Sequence, residues 1–176
     1  NADATVNGDG GKVITFANDT ARIYGDLFAR GGALSGNGGF IETSGKKGFY
    51  ITKTPDISAV NGNAGHWLID PNNIRIVSDA TGTSGIDIGG TAPDTAFDST
   101  DDTNATLAVG LILDALDGNN ATVTITTSNP APTNTTDGNI WLDEDIDYDG
   151  KGSDTLILNA ANNINTNKKD IIDLDT

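Results

Sequence analysis

Glycine-rich corners return along the chain at a nearly constant interval, and this periodicity limits the possible folds more than any other sequence feature. Gly10, Gly38 and Gly65 each open such a corner and are 28 and 27 residues apart. Between corners lie short apolar runs rich in β-branched and aromatic residues, which is typical of strands. The clearest of these runs are Phe40–Thr43, Phe49–Thr52, Trp67–Asp70 and Asn73–Val77. Self-similarity of short strands at a fixed period is typical of a solenoid.

About three strands fall within each repeat, so the sequence predicts an all-β fold of the parallel β-helix type. We expect a single domain over residues 1–176, with coils over 8–77 and further coils over 121–176. In such a fold Val, Ile, Leu and Phe face inward in stacked rows. Gly and Asn then supply the corners, where a positive φ costs them little.

The pattern weakens over 78–120, where we expect an excursion from the coil that carries one short helix at about 104–117. An apolar stripe with spacing i, i+3, i+4 and i+7 supports the helix. The stripe consists of Val109, Ile112, Leu113 and Leu116. Asp102, Thr103 or Asn104 could cap its start, and Gly118 could end it.

Composition restricts the function classes. The chain has 25 acidic and 10 basic residues and a net charge of −15, which disfavours binding to nucleic acid or to an anionic membrane surface. Cysteine is absent, so no disulfide or thiol chemistry is available. No apolar run is long enough to predict membrane insertion. The start at Asn1, without an initiator Met or a signal peptide, indicates a mature or excised piece of a longer protein.

Two motifs resemble a known family. Residues 38–45 read GGFIETSG and residues 65–74 read GHWLIDPNNI. Together they are similar to the paired motif of filamentous haemagglutinin-like exoproteins, the adhesins that Gram-negative bacteria export by two-partner secretion. The resemblance is strongest over 8–77 and looser over 120–165. Lys46-Lys47 and Thr54–Asp56 depart from the family pattern.

The resemblance implies a right-handed β-helix, a secreted, extracellular or cell-surface location, and structural or adhesive work rather than catalysis. It further implies an outer-membrane partner transporter during export, with surface carbohydrate as one candidate target. It assigns no catalytic, cofactor-binding or metal-binding residue in this chain.

Within the motifs, the residue chemistry predicts architectural roles. Glu42 is expected to accept backbone N–H bonds from the adjacent corner, and Trp67 to lie against a neighbouring strand. Asp70, Pro71 and Asn72 have the composition of a turn.

One segment matches the first half of a calcium-binding loop. Asp145, Asp147 and Asp149 alternate and are followed by Gly150, as in D-x-D-x-D-G. The position that should hold a bidentate Glu is Leu156. A strand with solvated carboxylates on its outer face is the alternative interpretation.

The enzyme alternative is a β-helical polysaccharide lyase or hydrolase, which would use clustered carboxylates with calcium or an arginine. The available guanidinium groups are Arg22, Arg30 and Arg75, and the single histidine is His66. No sequence fingerprint of a hydrolase, metalloprotease or nucleotide-binding enzyme occurs.

The two ends predict self-association, and ends that were created by excision and simply fray are the alternative interpretation. Thr5-Val6 could pair as an extra strand, and Ile171–Leu174 has the composition of an unfinished coil. Head-to-tail stacking of identical copies, or stacking of further coils of the same exoprotein, would cover these ends, and identical copies would form an open filament.

Overall fold

The structure is a computed structural model that describes residues 1–79, 105–117, 119–128 and 137–174. It is mostly β with one short helix, which confirms the all-β prediction. Every strand pairing among the described residues is parallel. The strands are β1 Lys12–Ala17, β2 Thr20–Ile23, β3 Phe40–Gly45, β4 Gly48–Ile51, β5 His66–Ile69, β6 Ile74–Val77, β7 Ala105–Ala108, β8 Thr122–Thr126, β9 Ile140–Leu142, β10 Ile146–Asp147, β11 Thr155–Asn159, β12 Ile164–Asn165 and β13 Ile171–Ile172, and the helix α1 is Val109–Ala115.

The largest sheet has five strands in the order β1-β3-β5-β8-β11. Its strands align so that like positions stack, and one inward column consists of Val13, Ile41, Trp67, Val123 and Leu156. The three middle members of this column are fully buried, whereas Val13 and Leu156 in the edge strands are only partly buried. Burying one column of apolar side chains fixes the register, because a slip by one residue would turn every side chain to the opposite face.

Two further rows of segments complete the architecture. One row contains the β2-β4 pair and the four-stranded sheet β12-β9-β6-β7. The other contains the β10-β13 pair together with isolated parallel bridges between Asn7 and Ser35 and between Phe28 and Asp56. Buried side chains from all three rows belong to one hydrophobic cluster, with Trp67 its largest fully buried member.

Strand β7 lies out of chain order. It pairs with β6 on one side and contacts β4 on the other, so it separates two strands that precede it in sequence. Helix α1 follows β7 directly and packs between the segment at Thr54 and strand β10. A helix is about 10 Å wide, close to two strand spacings of about 4.8 Å. Along the direction in which the strands stack, β7 therefore adds one strand to its own row. This addition matches the extra width that α1 occupies in the neighbouring row.

The predicted helix over 104–117 is wrong in its first part, because Ala105–Ala108 is a strand and the helix covers only Val109–Ala115. Ala105 and Leu107 are opposite Ile74 and Ile76 in the β6 register, and all four are fully buried. Backbone pairing to β6 outweighs the helical apolar spacing at these positions.

The predicted capping of the helix start is not what the structure shows. The N-cap residue is Ala108, which makes no side-chain hydrogen bond. Asp79 supplies the missing acceptor instead, because its Oδ1 accepts the Gly110 N–H at 2.8 Å. The predicted capping residues Asp102, Thr103, Asn104 and Gly118 lie outside the described residues.

Asparagine and aspartate side chains connect successive repeats. Asp9 Oδ1 accepts the Asn37 N–H at 2.7 Å, and Asn37 Oδ1 accepts the Asn63 N–H at 2.9 Å. Asn63 Oδ1 then accepts a bond from Asn120 Nδ2 at 3.0 Å. Each side chain thus satisfies a polar group of the next repeat, which explains the abundance of these residues at corners.

Close backbone approach explains at least one corner glycine. A Cβ built on Gly38 would lie 1.8 Å from the carbonyl oxygen of Ile57, which no real side chain tolerates.

Within the described ranges no helix has the length and apolar character needed to cross a membrane.

Candidate functional site

The three aspartates of the calcium-like motif lie on and around β10. Asp145 Oδ1 accepts the Asp170 N–H at 3.0 Å, and Asp149 Oδ1 accepts the Leu174 N–H at 3.2 Å. Asp147 Oδ1 accepts the Asp149 N–H at 3.2 Å. The Asp145 and Asp149 carboxylates therefore connect β10 to the segment around β13, as expected for a strand face. Across the described residues, no group of three or more His, Cys, Asp or Glu side chains converges closely enough to hold a metal ion.

The family-like motif has the predicted architectural role, with one difference. Trp67 is fully buried and its Nε1 donates to Thr43 Oγ1 on the adjacent strand at 2.8 Å, which confirms its predicted position. Glu42 was predicted to accept backbone N–H bonds, but its Oε1 accepts from the Ser44 hydroxyl at 3.0 Å. The corner next to Glu42 is instead connected to other repeats by the side chain of Lys46.

Lys46 bridges three repeats on the outer surface. Its Nζ donates to Asp70 Oδ2 at 2.9 Å and to Ser128 Oγ at 3.0 Å, and it lies 5.6 Å from the centre of the Phe16 ring. Lys46 therefore occupies a defined position on this surface. Sequence spacing gave no signal for this contact, because Ser128 is 82 residues away.

Two of the arginines considered for catalysis form ion pairs between repeats. Arg30 Nη2 donates to Asp3 Oδ2 at 2.7 Å, and this contact holds the pKa of Asp3 below its usual value. Arg75 binds Asp143 through Nε at 2.6 Å and Nη2 at 2.8 Å, in a bidentate geometry. These two guanidinium groups therefore have structural partners.

His66 stands on the outer face of β5. Its Nε2 is 2.8 Å from Thr124 Oγ1, and its ring meets the Phe40 ring edge-on at 5.3 Å. Partial burial lowers the pKa of His66, so the neutral imidazole is favoured at neutral pH. The contacts match a packed surface residue rather than an exposed proton donor.

A concave surface runs beside helix α1. A cleft of 360 Å³ lies between β4 and the start of the helix and is lined by Tyr50, Thr52, Asp79, Gly110 and Asp114, among others. A second cleft of 240 Å³ continues along the helix past Thr54, Asp56 and Asp117. Asp114 lines both clefts, and we call the two adjacent clefts together the α1 groove.

The α1 groove combines oxygen ligands with an aromatic wall. Asp114 Oδ2 is 3.4 Å from the Thr54 hydroxyl, and Asp79 is held by Gly110. The Tyr50 ring packs against Tyr24 with centroids 5.5 Å apart, and Tyr24 is 64% exposed. Lys151 borders the groove through an ion pair with Asp117 at 2.9 Å, and this contact raises the pKa of Lys151. The arrangement can accept hydrogen bonds from a polyhydroxylated molecule while a flat apolar face packs on an aromatic ring.

Sequence reasoning missed the α1 groove. Its walls come from β4, from Asp79 and from α1, and these elements meet only because β7 inserts beside β4. No family model matches the chain, and no curated protein has significant sequence similarity to it.

Proposed function

We propose that this chain is a structural and adhesive segment of a secreted bacterial surface exoprotein, built as one right-handed parallel β-helix. The observation that supports this most directly is the in-register parallel stacking of successive repeats in three rows. Such stacking makes a stiff body whose outward positions are free to contact other molecules. A crystal or cryo-EM structure tests the proposed closure and handedness, and an open sheet or a left-handed coil would overturn them.

The export route is part of the same proposal. A chain of this kind is exported through an outer-membrane partner transporter and stays at the cell surface or in the medium. Cell fractionation with an antibody against the native protein tests the location. Retention of the protein in the cytoplasm of intact cells would contradict it.

The adhesive contact that we propose is with surface carbohydrate in the α1 groove. Tyr50 provides an apolar ring face, and Asp79 and Asp114 provide acceptors for sugar hydroxyls. The net charge of −15 favours neutral over anionic glycans. A glycan array should then show binding that Tyr50→Ala and Asp114→Asn reduce. Asp170→Asn is the matched control, because Asp170 is exposed and lies outside the groove.

Glycan-array binding that survives both groove substitutions would place the contact elsewhere on the surface. Absence of binding to every glycan would remove carbohydrate as the target but leave the structural role in place.

A polysaccharide lyase or hydrolase remains the alternative function, and one observation favours it. Asp79 and Asp114 line the same cleft, and paired carboxylates carry out glycosidic bond cleavage. Assays for reducing ends and for unsaturated products, with and without calcium, distinguish the two functions. Turnover that Asp114→Asn abolishes, while glycan binding persists, would favour the enzyme.

The ends of the stack support the proposed head-to-tail assembly. Ile164 is 44% exposed and Ile171 is 46% exposed, whereas their register partners Ile140 and Ile146 are fully buried. β1 and β11 are the two edges of one parallel sheet, and Ile14 and Ile157 are the exposed ends of one outward column. A second copy placed with its β1 beside β11 would continue the sheet in the same direction.

Electron microscopy of the purified chain tests this assembly. The variant Ile171→Lys/Leu174→Lys should abolish filaments, because it places charge on the exposed C-terminal edge. The matched control is Val60→Lys, which changes a side chain that is 77% exposed and belongs to neither β1 nor β11 nor β13. Monomers in the parent sample would rule out stacking of identical copies, and filaments in both variants would place the contact elsewhere.

A further inference from the structure

The corner that carries Asn61 and Gly62 contains one of the Asn-Gly pairs of the chain, a dipeptide in which the asparagine side chain can react with the backbone. The sequence has three Asn-Gly pairs, which begin at Asn7, Asn37 and Asn61. In such a pair the backbone nitrogen of the glycine can attack the asparagine Cγ, because glycine has no side chain to hinder the approach. All three asparagines are exposed, so exposure alone does not distinguish them.

The attacking nitrogen does distinguish them. The Gly8 N–H donates to the Ser35 carbonyl at 2.9 Å, and the Gly38 N–H donates to the Asn63 carbonyl at 2.8 Å. Each of these bonds engages the nitrogen with the neighbouring repeat and must break before the nitrogen can attack its own asparagine. The Gly62 N–H has no acceptor among the described residues, so it is the one nitrogen of the three that is free to react.

The asparagine side chains differ in the same sense. Asn37 Oδ1 is held by the Asn63 N–H at 2.9 Å, and Asn7 Oδ1 accepts from the Ser35 hydroxyl at 3.0 Å. Asn61 is held only through Nδ2, which donates to the Ala33 carbonyl at 2.9 Å. This nitrogen is the atom that leaves in the reaction. Among the described residues, no hydrogen bond holds Asn61 Oδ1.

Close packing requires a glycine at position 62, directly after Asn61. A Cβ on Gly62 would lie 2.2 Å from the Gly36 carbonyl oxygen and 2.8 Å from Asn37 Oδ1. Substitution with any side chain would therefore disturb the stack. The fold requires the residue that makes Asn61 reactive.

We propose that Asn61 is a site of spontaneous deamidation. Among the three Asn-Gly pairs, the folded chain restricts this reaction to Asn61. The Gly62 nitrogen loses its proton to a base and forms a bond to Asn61 Cγ, and the bond from Cγ to Nδ2 breaks with release of ammonia. Water then opens the cyclic imide at either carbonyl, which leaves aspartate or isoaspartate. The product loses the donor to Ala33, and isoaspartate also lengthens the backbone at the corner. The inference does not depend on the adhesive function.

Incubation of the full native chain at mildly alkaline pH, followed by peptide mapping with mass spectrometry, tests the proposal. Asn61 should convert at least about tenfold faster than Asn7 or Asn37, since their glycine N–H bonds must first break. In denaturant the three rates should become similar. The mass gain of amide hydrolysis separates this reaction from isomerisation at Asp-Gly pairs.

The variant Asn61→Gln serves as the control, because its longer side chain forms the cyclic intermediate far more slowly. Native Asn61→Gln protein should then show almost no deamidation at any Asn-Gly pair. Equal native rates at the three asparagines, or faster conversion at Asn37, would overturn the proposal.

Discussion

Asp154 is a buried carboxyl group that the fold satisfies on one side only. It is 6% exposed, its Oδ1 accepts the Ala121 N–H at 2.6 Å, and its Oδ2 is buried without a partner among the described residues. Burial is the main cause that raises the pKa of Asp154, and the nearby charge of Asp117 adds to it. The ionised form is thus disfavoured in the folded state.

Asp154→Asn should stabilise the protein at neutral pH by about 1 kcal/mol, because the amide keeps the bond to Ala121 and removes a buried charge. The pKa of Asp154 in the folded state is raised above the unfolded value of 3.8. The wild-type chain therefore loses stability as the pH rises from 3.8 through the folded pKa. The gain from Asp154→Asn should therefore shrink as the pH falls from above the folded pKa of Asp154 toward 3.8. Urea unfolding across pH measures this, and a gain that is constant with pH would contradict it.

Gly38→Ala tests the close backbone approach at the corner. The added Cβ would lie 1.8 Å from the Ile57 carbonyl, so we expect a loss of about 1–3 kcal/mol or more in unfolding free energy. Gly25→Ala is the matched control, because no atom lies within 4 Å of the corresponding Cβ. Chemical denaturation of both variants gives the comparison, and equal losses would show that the close approach to the Ile57 carbonyl does not set the cost.

Among the elements, most strands could be predicted because their apolar runs are bounded by glycine or asparagine. Runs such as Phe40–Thr43 and Trp67–Asp70 lie in or overlap β3 and β5. β7 could not be predicted, since the short alternation of Ala105 and Leu107 runs directly into the helical spacing of Val109 to Leu116. The pairing of β7 with β6 depends on where Ala105 joins the stack of strands, and the local sequence does not determine that position. The α1 groove depends on that position and was unpredictable for the same reason.

Leu116→Ala, at the end of α1, tests how firmly the helix is attached to the core. Leu116 is fully buried, so truncation should cost about 2–5 kcal/mol. Leu113→Ala on the same helix is the matched control and should cost less, because Leu113 is only partly buried. Thermal unfolding followed by circular dichroism measures both, and similar small shifts would mean that α1 packs loosely.

The whole molecule carries a net charge of −15, and the ion pairs among the described residues are partly exposed. Repulsion between like charges therefore acts against the compact state over the entire surface. Added sodium chloride should raise the melting temperature by screening this repulsion. An equal concentration of a neutral osmolyte controls for general effects of cosolutes. A fall in melting temperature with salt would show that the ion pairs outweigh the net repulsion.

The position of β7 between β4 and β6 has a consequence for the order of folding. Folding cannot advance from the N-terminus one strand at a time, because the β7 edge of β6 lacks its partner until Ala105, 28 residues after Val77, has arrived. A chain that emerges gradually, from a ribosome or through a membrane pore, therefore holds that edge open over this interval. Closing such a loop carries an entropic cost before any pairing compensates for it. Pulsed hydrogen exchange should show the amides of Ile74–Val77 and Ala105–Ala108 becoming protected in a single late step, after those of β1 and β3.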